Sequence, residues 1–100
     1  MLPKVSFDPG FESDLEEVTD FLVSRSISAA ERFADEFESA VEQILAYPNS
    51  GTPALGRAQR VRIDNGPYSI IYDFEVETST IVFLAVAHAA RRPGYWKSRL

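Results

Sequence analysis

The chain has 100 residues, 45% of them apolar and 25% charged, with 15 acids against 10 Lys/Arg, a net charge of −5 and no cysteine. That length supplies one modest core and is too short for two, so a single domain over residues 1–100 is expected. Zero Cys excludes a disulfide framework, a thiolate metal site and a cysteine nucleophile. The opening MLPKVSFDPG lacks an apolar h-region and no apolar run approaches a membrane span, so the expectation is a cytoplasmic protein with no membrane contact.

Lys4–Phe7 reads as a short extended segment with Val5 and Phe7 on one face. Asp8-Pro9 is a helix start, the Asp as N-cap and the Pro at the first helical position. Phe11, Leu15, Val18 and Leu22 follow at spacings of 4, 3 and 4, the apolar stripe of an amphipathic helix from about Pro9 to Ser24. Glu12, Asp14, Glu16 and Glu17 fall in its early turns, where the macrodipole favours negative charge, and are read as a solvated face. Ser28-Ala-Ala-Glu31 fits a capping box for a second helix, whose stripe is Ala30, Phe33, Phe37, Ala40, Val41, Ile44 and Leu45. Tyr47-Pro48 ends it, since a residue before proline leaves the α region. A connection of a few residues makes the two helices an antiparallel hairpin.

Pro48 to Gln59 is rich in Pro and Gly and reads as a loop. Arg60–Asp64 alternates, with Val61 and Ile63 on one face and Arg60, Arg62 and Asp64 on the other. Asn65-Gly66 is a turn signal, Tyr68–Phe74 the next strand, and Glu75–Ser79 closes a second hairpin. Thr80–Ala87 is apolar on both faces, which predicts a central strand covered on both sides. The predicted fold is α+β: an N-terminal strand, a helical hairpin, then a mainly antiparallel sheet of three further strands, with the hairpin packed on one face.

The charge is unevenly spread. Residues 1–50 hold three Lys/Arg against eleven acids, net −8, whereas residues 51–100 hold seven against four, net +3, with no acid after Glu77. Two basic elements stand out. Arg60 and Arg62 project from one face of a strand, roughly 7 Å apart, and His88, Arg91, Arg92, Tyr95, Trp96, Lys97 and Arg99 lie at or beyond the end of the last strand. Antiparallel order can bring both groups to one edge of the sheet. Arginine offers bidentate donors and Tyr and Trp flat faces, which suits phosphates and bases, and equally suits an acidic protein surface. The plainer reading of the tail is a C-terminus held down by Trp96 with its charges in water. His88 is either a general acid–base for RNA cleavage or a strand-end cap bonded to backbone, and chemistry by itself favours the second. No phosphate-loop, dinucleotide, zinc-protease or Ca²⁺ signature is present, so no metal or cofactor is expected.

In order and spacing, V-S-F-D-P, D-L-E-E-V, A-A-E-R-F, L-A-Y-P-N-S-G, V-R-I-D-N-G-P-Y-S-I-I-Y and A-V-A-H-A-A-R-R-P-G-Y-W-K-S-R resemble the RelE/ParE superfamily of type II toxin–antitoxin toxins over nearly the whole chain. The resemblance implies a helical hairpin on a twisted antiparallel sheet and a growth-inhibiting toxin neutralised by an antitoxin, in a toxin–antitoxin hetero-oligomer that meets operator DNA only through the antitoxin. RelE-like members cleave mRNA on the ribosome without a metal; ParE-like members poison DNA gyrase. Many ribonucleolytic members carry Arg after the tyrosine opening the third strand, where this chain has Ser69 in Tyr68-Ser69-Ile70-Ile71-Tyr72. The acidic first half is a second departure. The resemblance is therefore closer to ParE, which implies a protein target such as gyrase bound through Arg60, Arg62, Arg91, Arg92, Trp96, Lys97 and Arg99. The alternatives are a RelE-type ribonuclease using His88, Arg91 and Tyr95, and an inactive toxin that retains only antitoxin binding.

Overall fold

The computed structural model describes residues 2–100. Strand β1 (Lys4–Phe7) leads into helices α1 (Pro9–Arg25) and α2 (Ile27–Ala46); strands β2 (Thr52–Pro53), β3 (Gln59–Arg62), β4 (Tyr68–Glu75) and β5 (Thr80–His88) follow, and a 3₁₀ turn spans Lys97–Arg99. The strands form one sheet in the order β1-β5-β4-β3-β2. β1 runs parallel to β5, and the other neighbours are antiparallel. The α+β class is as predicted, with one strand more: Thr52 and Pro53, inside the predicted loop, pair with Arg60 and Gln59.

Asp8 caps α1 as its sequence implies, its Oδ1 accepting the Gly10 N–H at 3.2 Å. The start of α2 differs from the predicted capping box. Ser26 is both the last cap of α1 and the first cap of α2: its N–H reaches Leu22 O and its Oγ accepts from Ala29 N at 3.2 Å. The helix therefore begins two residues early, Ala29 occupies the third position, and the reciprocal Ser28–Glu31 bonds do not form. A single connecting residue joins the hairpin.

The helices cover one face of the sheet. Phe11, Ala40 and Ile44 pack against Val61, Ile63, Ile70, Tyr72, Ile81, Phe83 and Val86. An aromatic chain stiffens this layer, with centroid separations of 5.3 Å for Phe11–Phe83, 5.3 Å for Phe7–Phe83 and 6.1 Å for Phe11–Phe37; such pairs contribute about 0.5–1.5 kcal/mol beyond burial. The opposite face has its own smaller core of Ala58, Ile71, Leu84, Ala85 and Trp96. Two cores explain why β5 reads as continuously apolar.

A bulge on β5 couples the two. Ile71 pairs with Ala85 but Tyr72 pairs with Phe83, so Leu84 is an extra residue. Ile81 and Phe83 face the helices, Leu84 and Ala85 both join the second core, and Val86 returns to the first. The β3–β4 connection turns on Asp64, whose φ of 56° is left-handed, with Gly66 N donating to Ile63 O. Gly66 closes that turn instead of supplying its left-handed residue. Among the described residues no helix is long and apolar enough to cross a membrane.

Candidate functional site

β1 ends at Phe7, so beyond Phe83 the outer edge of β5 has no strand beside it. Side chains close it instead. Asp14, on the apolar side of α1 and 4% exposed, accepts the Val86 N–H through Oδ2 at 3.2 Å. Arg99 donates from one nitrogen to Leu84 O at 2.9 Å and to Asp14 Oδ2 at 2.8 Å. The Tyr95 hydroxyl lies 2.8 Å from Asp14 Oδ2 and 3.1 Å from Val86 O, its single proton facing both acceptors. This cluster seals the strand edge and fastens the C-terminal segment to the helical layer. Gly10 lies beneath it, and a Cβ there would stand 2.4 Å from Arg99 Cζ, so the guanidinium would have to shift. Gly94, at φ 72°, supplies the left-handed turn that brings Tyr95 and Trp96 back to the sheet.

Asp14 is the residue that sequence reasoning missed. Reading all the early acids of α1 as solvated is corrected here: Asp14 sits three residues after Phe11 and one before Leu15, within the buried sector, and its neighbours Glu12, Glu16 and Glu17 are the solvated ones. The available signal was its position inside the stripe.

The folded tail forms one wall of a groove of about 360 Å³, whose other side is the face of β3 and β4 turned away from the helices. Arg60, Arg62, Ser69, His88, Arg91 and Arg92 line it, with Tyr95 and Trp96 at its base. The strand ladder brings them together: Arg62 pairs with Ser69, and Ser69 with Ala87 next to His88. Lys97 is exposed on the 3₁₀ turn outside the groove, and Arg99 faces the β5 edge. Trp96 is 2% exposed and packs in the second core, so it holds the tail down. The structure thus departs from a tail whose charges all stand in water, since Arg99 is paired with Asp14.

The polar atoms of the groove are unequally committed. His88 Nδ1 accepts the Ala90 N–H at 2.9 Å, which leaves the proton of a neutral ring on Nε2, and the ring stands edge-on to Tyr68. Arg62 donates to Asn65 O and Gly66 O and thereby ties the β3–β4 turn. The Arg91 guanidinium lies 3.6 Å from the centre of the Tyr95 ring and 3.6 Å from Asp14. Burial first, then the hydrogen bond and charge of Asp14, raise the Tyr95 pKa well above the ordinary tyrosine range. Burial is the largest single influence and opposes the charge on Arg99, but the Asp14 hydrogen bond together with the charges of Asp14, Tyr95 and Asp8 outweighs it, and the pKa rises. Among the described residues the Arg60 and Arg92 side chains enter neither an ion pair nor a hydrogen bond, which leaves these two groove arginines uncommitted. No three His, Asp or Glu side chains converge among the described residues.

Comparison with known proteins places this geometry. The family described as ParE toxin of type II toxin-antitoxin system, parDE, matches residues 5–93. No curated protein matches the chain. Among solved structures, the chromosomal ParDE system of P. aeruginosa superposes with a TM-score of 0.68 at 13% identity, covering 86% of this chain and 95% of that one. The intact RelBE complex of E. coli gives 0.62 at 12%, covering 89% and 99%. The RelBE2 complex of Mycobacterium tuberculosis gives 0.60 at 21%, covering 88% and 99%. At these identities the superpositions speak for the fold.

Proposed function

We propose that this chain, which belongs to the ParE toxin family of type II toxin–antitoxin systems, arrests growth by binding a protein target, DNA gyrase, through the basic groove, and that a cognate antitoxin neutralises it. The observation that carries the reading is that Tyr95, Arg91 and one ring nitrogen of His88 are already engaged by the fold. A general base at His88 would need a free ring nitrogen, yet Nδ1 is occupied by Ala90 N–H and Nε2 then carries the proton. Tyr95 is held protonated against Asp14 and Val86 O, and Arg91 is spread over the Tyr95 ring. Ser69, in the groove lining and largely buried, offers a neutral hydroxyl where a guanidinium would be needed to stabilise a phosphorane.

Arg60 and Arg92 suit a binding role, since an exposed guanidinium recognises carboxylates and phosphates without proton transfer. The same pair favours the second reading, a metal-independent ribonuclease holding RNA by its phosphates. One paired assay separates the two. The purified chain is added to gyrase supercoiling and, separately, to a translating extract in which mRNA cleavage is followed, with His88→Ala and Tyr95→Phe alongside. Inhibited supercoiling with intact mRNA is the expected outcome; cleavage that disappears in either variant would overturn it.

A further inference from the structure

The sheet has two outer strands, and they are built differently. β2 is two residues long and ends in Pro53, which blunts that side. β1 is a full four-residue strand with all its residues exposed, Val5 at 41% and Phe7 at 50%. Lys4 N–H bonds to Ser79 O and Asp8 N–H to Phe83 O, so Lys4, Ser6 and Asp8 point their backbone groups inward. By strand alternation, Val5 and Phe7 present two N–H and two C=O groups outward.

We propose that this edge pairs with a second copy of the same chain, the two β1 strands running antiparallel about a two-fold axis at Ser6. In that register Val5 lies opposite Phe7 of the partner subunit, and Phe7 opposite Val5 of the partner subunit. Both members of each pair are outward-facing, so they exchange both backbone hydrogen bonds, four in all. Their side chains share the helix-side face and form two aliphatic–aromatic cross-strand pairs. On the other face Lys4 meets Asp8 of the partner subunit, twice, an opposite-charge pair of the kind that fixes register. Asp8 uses Oδ1 on Gly10, and its carboxylate, near enough to feel the charge of Arg99, enters no ion pair among the described residues. The ladder ends without stranding a donor, because Pro3 falls opposite Pro9 of the partner subunit and neither has an N–H.

Competing registers do worse. A one-residue slip sets outward groups against inward ones and breaks the hydrogen bonds. A two-residue slip sets Val5 against Val5 of the partner subunit, or Phe7 against Phe7 of the partner subunit, and loses both ion pairs. The edge is self-complementary in one arrangement, which joins the two sheets into one across the axis.

The test is sedimentation equilibrium of the antitoxin-free chain with residue-resolved amide exchange. The mass should approach two chains as concentration rises, and the Val5 and Phe7 amides should gain at least about tenfold protection while Lys4 and Asp8 stay protected throughout. Val5→Pro removes an outward N–H and no inward bond, and Lys4→Glu sets like charges face to face; each should weaken association at least about tenfold. A single-chain mass at every concentration with freely exchanging Val5 and Phe7 would overturn the proposal. So would a dimer insensitive to both variants, or protection of Val5 and Phe7 that requires added antitoxin and ignores concentration.

Discussion

Replacing Asp14 with alanine should cost this domain much of its stability. The carboxylate serves Val86 N–H, Arg99, Tyr95 and the flank of Arg91 at once. Its loss leaves the Val86 N–H buried without an acceptor, about 1–3 kcal/mol. It also strips Arg99, whose side chain is 18% exposed, of its counter-charge; breaking a buried pair costs roughly 3–5 kcal/mol. The lower end applies, because Arg99 keeps Leu84 O at 2.9 Å and part of its guanidinium reaches solvent. Arg91, 46% exposed, adds less than about 1 kcal/mol. These terms share one site and are not additive, so the total is about 4 kcal/mol against about 5–15 kcal/mol for a domain of this size. Asp14→Asn keeps an acceptor for Val86 and should lose about half as much. Urea unfolding followed by far-ultraviolet dichroism, with m unchanged, gives both numbers. An alanine variant within about 1 kcal/mol of the parent would refute the account of the β5 edge.

Gly10→Ala forces the Arg99 guanidinium aside and should cost about 1–3 kcal/mol; combined with Asp14→Ala the loss should be far less than additive, as a double-mutant cycle would report. Arg60→Ala with Arg92→Ala should leave the urea midpoint nearly unchanged, within about 0.5 kcal/mol of stability, while reducing target inhibition at least about tenfold; full inhibition by that variant would remove the groove from the mechanism. Tyr72 and Tyr95 have hydroxyls whose pKa burial raises above the ordinary value near 10. The folded state therefore holds those protons longer than the unfolded chain, and the stability they contribute is complete below about pH 10 and lost as pH rises above it. Absorbance titration should show Tyr72 and Tyr95 ionising above the ordinary tyrosine value near 10, and Tyr95→Phe should flatten the alkaline fall in stability; ionisation of both at the ordinary value would contradict the geometry.

Short-range features of the fold were readable because they are decided within a few residues. The Asp8 cap, the 4-3-4 spacing from Phe11 to Leu22 and the alternation of Val61 and Ile63 with Arg60 and Arg62 each express one turn of helix or one pleat of strand. The gathering of Arg60 and Arg62 beside His88, Arg91 and Arg92 was readable too, since β3, β4 and β5 are successive antiparallel neighbours. The start of α2 lay at the limit: Ser26 and Ser28 are both capping residues, and only the bond from Ala29 N to Ser26 Oγ chooses between them.

By itself, then, the sequence determined the elements other than β2, their order, the acidic helical half and the basic half that carries the candidate site. Tertiary structure decided which of those charges are available. Asp14 meets Val86, Tyr95 and Arg99 at separations of 72, 81 and 85 residues. Such contacts leave no local periodicity, because an acid on a helix looks the same whether it faces water or a strand edge. The bulge at Leu84 is likewise a property of two strands in register. Long-range packing turned Trp96, Arg99 and Tyr95 into parts of the scaffold and left Arg60 and Arg92 facing solvent, where a partner can reach them.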